Sequence, residues 1–305
     1  MEKKYSKKGP ILLFITAVIW GSATVTQVIG ADSMTPFYFN FSRYLLGALS
    51  VIPLILILEK KADDKKTRMN TLKVGILAGI ALFGASIFQQ FGFTLTDSAG
   101  KGGFITSLYM VLVPVFGIFL GNKTGIQTWF GAIFSVVGLY LLCASGTALS
   151  LTLGDALLVI CAVFFAVHIL IVNRFGDKIY SLRFAFTQYV VCTILNGLCT
   201  LIFEEFSLTS LSSGIIPVLY CGIGSVGIAY TCQILGQKYS DPTSASVILS
   251  TESVFSAIGG AILLNERMTT EGYIGCVLIF IGVLFTQVPM KKLSFLSSEK
   301  KHKTA

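Results

Sequence analysis

Residues 12–20 read LLFITAVIW, and residues 157–165 read LLVICAVFF, with apolar and small side chains at matching places. The segment FNFSRY at residues 39–44 likewise matches FAFTQY at residues 184–189. Both pairs are separated by 145 residues, so the similarity extends beyond a single segment. The sequence therefore predicts a duplicated unit in which the second half of the chain repeats the first.

The amino-acid composition indicates that the main solvent of this protein is lipid. Of its 305 residues, 54% are hydrophobic and 12% are charged, whereas a soluble domain has roughly 25% charged residues. The net charge of +8 does not indicate nucleic-acid binding, because the Lys and Arg residues lie in the two tails and in short connections without an aromatic-interleaved basic face. Soluble folds and a nucleic-acid partner are therefore excluded.

Ten apolar runs are long enough to cross a bilayer, which takes about 20 residues each. They cover residues 10–29, 37–58, 74–95, 102–121, 126–144, 154–172, 182–203, 214–235, 243–264 and 272–288. We predict an all-α integral membrane protein with one five-helix repeat at 10–144 and a second at 154–288. Basic tails at 1–9 and 289–305 flank the repeats.

The distribution of Lys and Arg predicts the orientation, since cytoplasmic connections carry an excess of both. With the N-terminus inside, 20 of the 23 such residues fall in inside segments and only Lys101 and Arg267 fall outside. We therefore expect a multi-pass protein of the cell membrane with both termini in the cytoplasm.

An odd number of helices in each repeat means that the second repeat enters the membrane from the opposite side. Inverted repeats are common in secondary carriers, because two similar halves can expose a central site to each side in turn. The topology therefore predicts transport before any single residue does.

Glu252 is the most informative single residue, since it lies near the middle of the ninth apolar run. A charged side chain at that depth costs several kcal/mol unless it is paired, hydrated or protonated. One interpretation is a proton-coupling or substrate-binding carboxylate; the other is a buried carboxyl group that bonds neighbouring helices together. Its repeat counterpart is Leu108, so the duplicated fold does not itself require a carboxylate there.

Other polar residues within the spans are candidates for a substrate or proton pathway. Arg43 could attract an anionic group or bind carbonyls and headgroups, and His168 could relay protons or form a helix–helix hydrogen bond. Pro114 removes a backbone hydrogen bond and could kink or gate the fourth span, although an architectural kink is equally compatible. The remaining pathway candidates are Trp20, Gln89, Gln90, Tyr109 and Gln233.

The residues expected for catalysis or cofactor binding are not grouped in this sequence. The seven cysteines fall singly in apolar runs, and His168 and His302 are the only histidines. The GxGxxG match at Gly222–Gly227 lies inside a predicted span with no preceding strand, so it indicates close helix packing instead. We expect no catalytic residue, no metal and no cofactor.

Four segments carry a resemblance to a known family. They are WGSATV at residues 20–25, FNFSRYLLGAL at 39–49, GFITSLYMVLVPVFGIFLG at 103–121 and ESVFSAIGGAILLNERMT at 252–269. With the ten predicted helices, they resemble the EamA-type members of the drug/metabolite transporter superfamily over residues 10–288.

The last segment is similar to the family pattern of Glu-Pro, small and apolar residues, then Gly-Glu-Arg. Ser253 replaces the usual Pro and Asn265 the usual Gly, which leaves open whether the ninth helix bends as in relatives with Pro. The resemblance implies a central cavity surrounded by helices one, three, four, six, eight and nine, with helices five and ten at the periphery. It also matches Glu252 and Glu266 to the two glutamates of the family, and contacts with the neighbouring loop are a sufficient reason for Glu266.

The leading hypothesis is therefore a secondary transporter that exports small metabolites or amphiphilic drug-like compounds by alternating access, with proton coupling as an option. The alternatives are an intramembrane enzyme acting on a lipid-linked substrate and a non-transporting partner subunit. The expected partners are a small-molecule substrate and the lipid bilayer, with a homodimer as an option.

Overall fold

The computed structural model describes residues 7–60, 64–95, 99–121, 125–143, 152–267 and 269–286. All regular structure in these residues is helical. The α-helices are α1 Lys8–Ala31, α2 Pro36–Leu58, α3 Lys65–Thr94, α4 Ala99–Ser107, α5 Tyr109–Phe119, α6 Ile126–Cys143, α7 Leu153–Phe175, α8 Ser181–Phe203, α9 Leu208–Ser213, α10 Ile215–Leu219, α11 Thr231–Gln237, α12 Pro242–Leu249, α13 Glu252–Leu263 and α14 Thr270–Thr286. The predicted tails lie outside the described residues, except for residues 7–9.

Eight helical stretches of the described chain are long and apolar enough to cross a membrane. Five of them are α1, α2, α3, α7 (extended to Lys178) and α8, and the other three combine α4 with α5, α10 with α11, and α12 with α13. Helices α6 and α14 are shorter. Large apolar side chains such as Ile57, Phe119 and Ile262 are more than two-thirds exposed on the outside of the bundle. A helical membrane protein is thus confirmed, because such surfaces are stable only in contact with lipid.

Helix α3 begins nine residues before the third predicted span. The Asp64 side chain accepts a hydrogen bond of 2.7 Å from the backbone N–H of Thr67, which caps the first turn. The Thr67 hydroxyl and amide hold the pKa of this carboxyl group below its usual range. Hydropathy alone missed this charged first turn because it extends beyond the apolar run.

Two of the membrane stretches are interrupted near their middles. The fourth predicted span is interrupted at Leu108, between α4 and α5. The ninth predicted span, called the ninth stretch below, is interrupted at Ser250 and Thr251, between α12 and α13, although the backbone angles at these three residues stay in the α region. In the ninth, the hydroxyls of Ser250, Thr251 and Ser253 each donate to the backbone carbonyl three residues earlier, at 2.7 to 2.8 Å. Hydroxyls that bond locally compete with the helical backbone bonds, so this helix breaks without the proline that the family usually has.

Helices α2 and α8, which occupy equivalent places in the two halves, pack against each other in opposite directions. Glu59, just after α2, accepts from the backbone N–H groups of Leu182 and Arg183 at the start of α8. Glu204, just after α8, accepts from the N–H groups of Phe37 and Tyr38 at the start of α2. Each helix thus supplies the carboxylate that caps the other, where the helix dipole favours negative charge.

Helices α6 and α14 also form an antiparallel pair. A Cβ atom on Gly131 would lie 2.6 Å from the carbonyl oxygen of Gly282, and one on Gly138 would lie 2.5 Å from that of Gly275. Both contacts are too close for any side chain, so the glycines allow the backbones to touch, as is common between membrane helices.

The backbone from Tyr220 to Tyr230 winds as a π-helix between α10 and α11. This π segment contains the glycines of the GIGSVG motif, and a Cβ on Gly222 would approach Leu46 of α2 to 2.8 Å. The motif therefore serves close packing, as the sequence predicts. The π-helical winding itself could not be predicted from the glycines.

Candidate functional site

Helix α1 lies at the centre of the bundle, against α11, α12, α13 and the π segment. A Cβ atom on Gly21 would lie 2.5 Å from the backbone carbonyl oxygen of Glu252, so a glycine there lets α1 approach the start of α13. Trp20, Thr24 and Gln27 follow at positions i, i+4 and i+7, which places them on one face of α1.

A small cavity with polar and aromatic walls lies beside this face. Its volume is about 20 Å³, room for about one water molecule. The residues that line it are Trp20, Thr24, Gln27, Arg43, Gln89, Tyr109, Phe165, Ser225, Tyr230 and Glu252. They come from α1, α2, α3, α5, α7, α13 and the π segment, so both halves of the chain contribute. Helices α6 and α14 contribute no lining residue.

Glu252 occupies the first turn of α13, immediately after the break in the ninth stretch. Its side chain is 5% exposed and accepts a 3.3 Å hydrogen bond from the hydroxyl of Ser107, at the break between α4 and α5. Within the part of the chain that the structure describes, no Lys or Arg forms an ion pair with this carboxyl group. The group therefore lies where two interrupted helices meet, at the start of a half-helix that favours negative charge.

Arg43 reaches the same cavity from α2 and is 2% exposed. Its Nε donates to Asn40 at 2.7 Å and its Nη1 to Gln27 at 2.6 Å, while its guanidinium carbon lies 5.2 Å from the centre of the Tyr44 ring. Its Nη2 has no hydrogen-bond partner among the described residues. Arg43 is thus a buried side chain at the cavity whose orientation is fixed by Asn40 and Gln27.

Aromatic rings form the apolar part of the cavity wall. The Trp20 ring lies 4.6 Å from that of Tyr230 and 6.2 Å from that of Phe165, and the rings of Tyr109 and Phe165 lie 6.1 Å apart. The Trp20 indole donates to the backbone carbonyl of Ser225 in the π segment at 3.4 Å. Cation, carboxyl group and aromatic surface therefore face one small space.

Of the eight predicted pathway residues, five line the cavity and three lie elsewhere. Gln90 is buried and donates to the backbone carbonyl of Gln27 at 3.2 Å, behind the lining. His168 is buried and forms a 2.9 Å hydrogen bond with Gln188, which matches the helix–helix alternative. Gln233 is buried in α11, away from the lining, and its amide has no partner among the described residues.

Pro114 lies inside α5, and the helix continues through it. The interruption of this stretch occurs at Leu108, six residues earlier, beside the break in the ninth stretch. Proline in this position leaves the carbonyl four residues before it without its usual partner, but the structure places no break at that point.

Sequence reasoning missed Thr24, Gln27, Phe165, Ser225 and Tyr230. The spacing of Thr24 and Gln27 from Trp20 was a usable signal, since it places all three on one helical face. Ser225 and Tyr230 are five residues apart, and only the wider turn of the π segment brings them to the same cavity.

Two acidic side chains hold helix ends near these spans. Asp241 caps α12 by accepting from the N–H of Ser244 at 2.9 Å. Glu266, after α13, accepts from the N–H groups of Ala99 and Gly100 at 2.8 and 3.4 Å. Glu266 thus holds the start of α4, which accounts for it without a role in the cavity.

Comparison with known proteins supplies the family context. The model of the EamA-like transporter family matches the chain twice, over residues 7–144 and 152–288. An uncharacterized transporter of Archaeoglobus fulgidus is 30% identical over 94% of this chain and 87% of its own length. The uncharacterized transporter YrdR of Bacillus subtilis is 22% identical over 100% of this chain and 98% of its own. A solved crystal structure with 21% identity superimposes with a TM-score of 0.77 over 93% of this chain and 99% of that chain, which shows a shared fold.

Proposed function

Since the chain belongs to the EamA-like transporter family and is therefore a membrane transporter, we propose that it is a secondary carrier that exports small amphiphilic metabolites by alternating access. The observation that carries this proposal is the cavity around Glu252, where both halves meet at two interrupted helices. Broken helices at a repeat interface are the usual setting of substrate sites in secondary carriers.

We further propose that the fold is an inverted repeat of ten spans. Helices α6 and α14 complete the ten, because 18 and 17 residues at about 1.5 Å each approach the thickness of the hydrocarbon core. The antiparallel pairing of α2 with α8 and of α6 with α14 supports the inversion, since each pair joins equivalent helices of the two halves.

The residues that line the cavity support a proposal for the chemical class of the substrate. The unpartnered Nη2 of Arg43 suits an acidic group, and the rings around Trp20 suit an apolar body. A small molecule with one anionic group and an apolar part matches both. Because the cavity holds about one water, the helices around it must separate before such a molecule enters.

The distribution of Lys and Arg supports a proposal for the orientation of the protein and for the membrane that contains it. We place both termini in the cytoplasm and the protein in the cell membrane. Association of two copies in the membrane is a further proposal, tested by the mass of the purified protein in detergent.

Proton coupling through Glu252 is the proposed energy source. Glu252 forms no ion pair with the described residues, and a buried carboxyl group in that position is costly when charged. Binding and release of a proton can therefore be linked to the exchange of conformations. We expect Glu252→Gln to abolish the pH dependence of transport while the folded protein remains in the membrane. Glu205→Gln is the matched control because Glu205 is exposed; unchanged pH dependence in the Glu252 variant would remove the coupling role.

The function itself is tested in two steps. A comparison of metabolites inside and outside cells with and without the protein identifies the candidate substrate. Vesicles containing purified protein are then supplied with that compound. Protein-dependent movement across the vesicle membrane supports a carrier, whereas chemical turnover in detergent without such movement supports the enzyme alternative.

A further inference from the structure

A second and much larger cavity lies at the end of the bundle that carries Glu59. Its volume is about 860 Å³. Helices α2 and α3 both pack against α8 here but make few contacts with each other, so they leave a groove over the first turns of α8. The residues that line it are Ile52, Ile55, Leu56, Lys65, Arg68, Met69, Thr71, Leu72, Arg183, Phe186 and Thr187.

Three cations stand at this groove. Lys65 and Arg68 lie in the first turn of α3, and Arg183 lies in the first turn of α8. Neither Lys65 nor Arg68 forms an ion pair within the described ranges. The Nη2 of Arg183 donates to the backbone carbonyl of Glu59 at 3.3 Å, while its Nε is buried without a partner in the described chain.

Two described carboxylates next to this groove, those of Glu59 and Asp64, already bond to the backbone. Glu59 accepts from the N–H groups of Leu182 and Arg183 at 2.9 and 3.0 Å. Asp64 accepts from Thr67 at the start of α3. The groove therefore keeps positive charge that the described acidic side chains do not neutralise by ion pairs.

Apart from Thr71 and Thr187, the rest of the groove is apolar, and it is open to the surroundings. Leu56 is 65% exposed, and Met69 and Leu72 are about half exposed. In a membrane Leu56, within the second predicted span, meets lipid chains, while Met69 and Leu72 precede the third predicted span and lie with the cations near the headgroups. The groove therefore combines an apolar channel with a cationic end.

We propose that this groove binds an anionic phospholipid, whose phosphate group lies between Lys65, Arg68 and Arg183 and whose acyl chain follows the apolar wall. Basic pockets between membrane helices on the cytoplasmic side recognise such headgroups, and the proposed orientation places the groove on that side. A soluble anion would use the cations but leave the apolar channel uncovered, so a lipid fits the lining better.

The test compares lipid retention by purified protein in detergent, measured by native mass spectrometry. Phosphatidylglycerol and phosphatidylcholine with the same acyl chains are added in equal amounts. The charge variant is Lys65→Gln with Arg68→Gln, and the matched control is Lys66→Gln with Lys73→Gln, which removes two exposed charges from the same end of α3 but outside the lining.

We expect the wild-type protein and the control to retain phosphatidylglycerol over phosphatidylcholine by at least about fivefold, and the charge variant to lose this preference. Leu72→Trp narrows the groove while every charge stays in place, so it should also reduce phosphatidylglycerol retention and provides a second test if the charge variant is unstable. Equal retention of both lipids by the wild-type protein, or the same loss in both double variants, would overturn the proposal. Displacement of the lipid by millimolar inorganic phosphate alone would instead identify a site for free anions.

Discussion

Asn265 shows how a single backbone angle explains a departure from the family pattern. It follows the end of α13 with a φ of +55°, in the left-handed region that glycine adopts most easily and asparagine tolerates better than most residues. The next N–H, of Glu266, bonds to the carbonyl of Gly260 at 3.1 Å and closes the helix end. The family's usual glycine and this asparagine therefore serve the same turn.

This turn gives a prediction with a matched pair of variants. Asn265→Gly should leave the stability nearly unchanged, whereas Asn265→Val should reduce it by about 1–2 kcal/mol, because a β-branched residue is strained at positive φ. Thermal unfolding of the purified proteins in detergent measures both. Equal unfolding temperatures for the two variants would show that the turn does not constrain this position.

At the residue scale, the sequence was sufficient to identify residues of the cavity where a polar side chain interrupts an apolar run. Glu252, Arg43, Gln89 and Tyr109 were identified this way, and they line one cavity together with Trp20 of the WGSATV segment. The same criterion also selected His168, Gln90 and Gln233, since a membrane helix is apolar on its lipid face as well as on its packed faces, so periodicity does not show which face is central.

At the scale of the element, the interruption between α12 and α13 can be tested by placing a proline in the first turn of α13 or in its middle. Ser253 lies in the first turn of α13, where a proline is tolerated, and its N–H makes only a short-range bond to Ser250 at 3.1 Å. Ser253→Pro should therefore change the stability by no more than about 1 kcal/mol. Ala257→Pro, in the middle of α13, should cost about 3 kcal/mol or more.

The measurement for this pair is the amount of folded protein recovered from membranes, followed by thermal unfolding in detergent. If Ser253→Pro proved as damaging as Ala257→Pro, the chain would have to be continuous helix through Ser250 and Thr251, against the structure.

Element boundaries were predictable from hydropathy to within a few residues, except at the polar start of α3. The break at Ser250 was not predictable, because it depends on side-chain hydroxyls that donate to nearby backbone carbonyls. Serine and threonine also occur in unbroken helices. The π segment was likewise not predictable from the sequence, since its glycines are equally compatible with an α-helix.

At the scale of the whole molecule, the repeat of LLFITAVIW in LLVICAVFF was enough to predict two similar halves. Glu59 and Glu204 stand at equivalent places in those halves, but the sequence alone did not show that each caps the first turn of the other half's helix. Such contacts require the two halves to be placed together in space, which no pattern within one half specifies.

The central claim is that the cavity around Glu252 is the translocation site. Thr24 lines it, whereas Thr26, two residues later on the opposite face of α1, does not. Each threonine hydroxyl donates to the carbonyl four residues earlier, at 3.0 and 2.9 Å. Replacing either threonine by leucine therefore removes the same kind of hydrogen bond, but only the leucine at position 24 lies beside the cavity.

The most direct measurement is uptake of the identified substrate into vesicles that contain the wild-type protein, Thr24→Leu or Thr26→Leu in equal amounts. We expect Thr24→Leu to lower the uptake rate at least about tenfold, because the larger side chain fills a cavity with room for about one water. Thr26→Leu should keep the wild-type rate. Equal uptake by the two variants would contradict the assignment of this cavity as the path of the substrate.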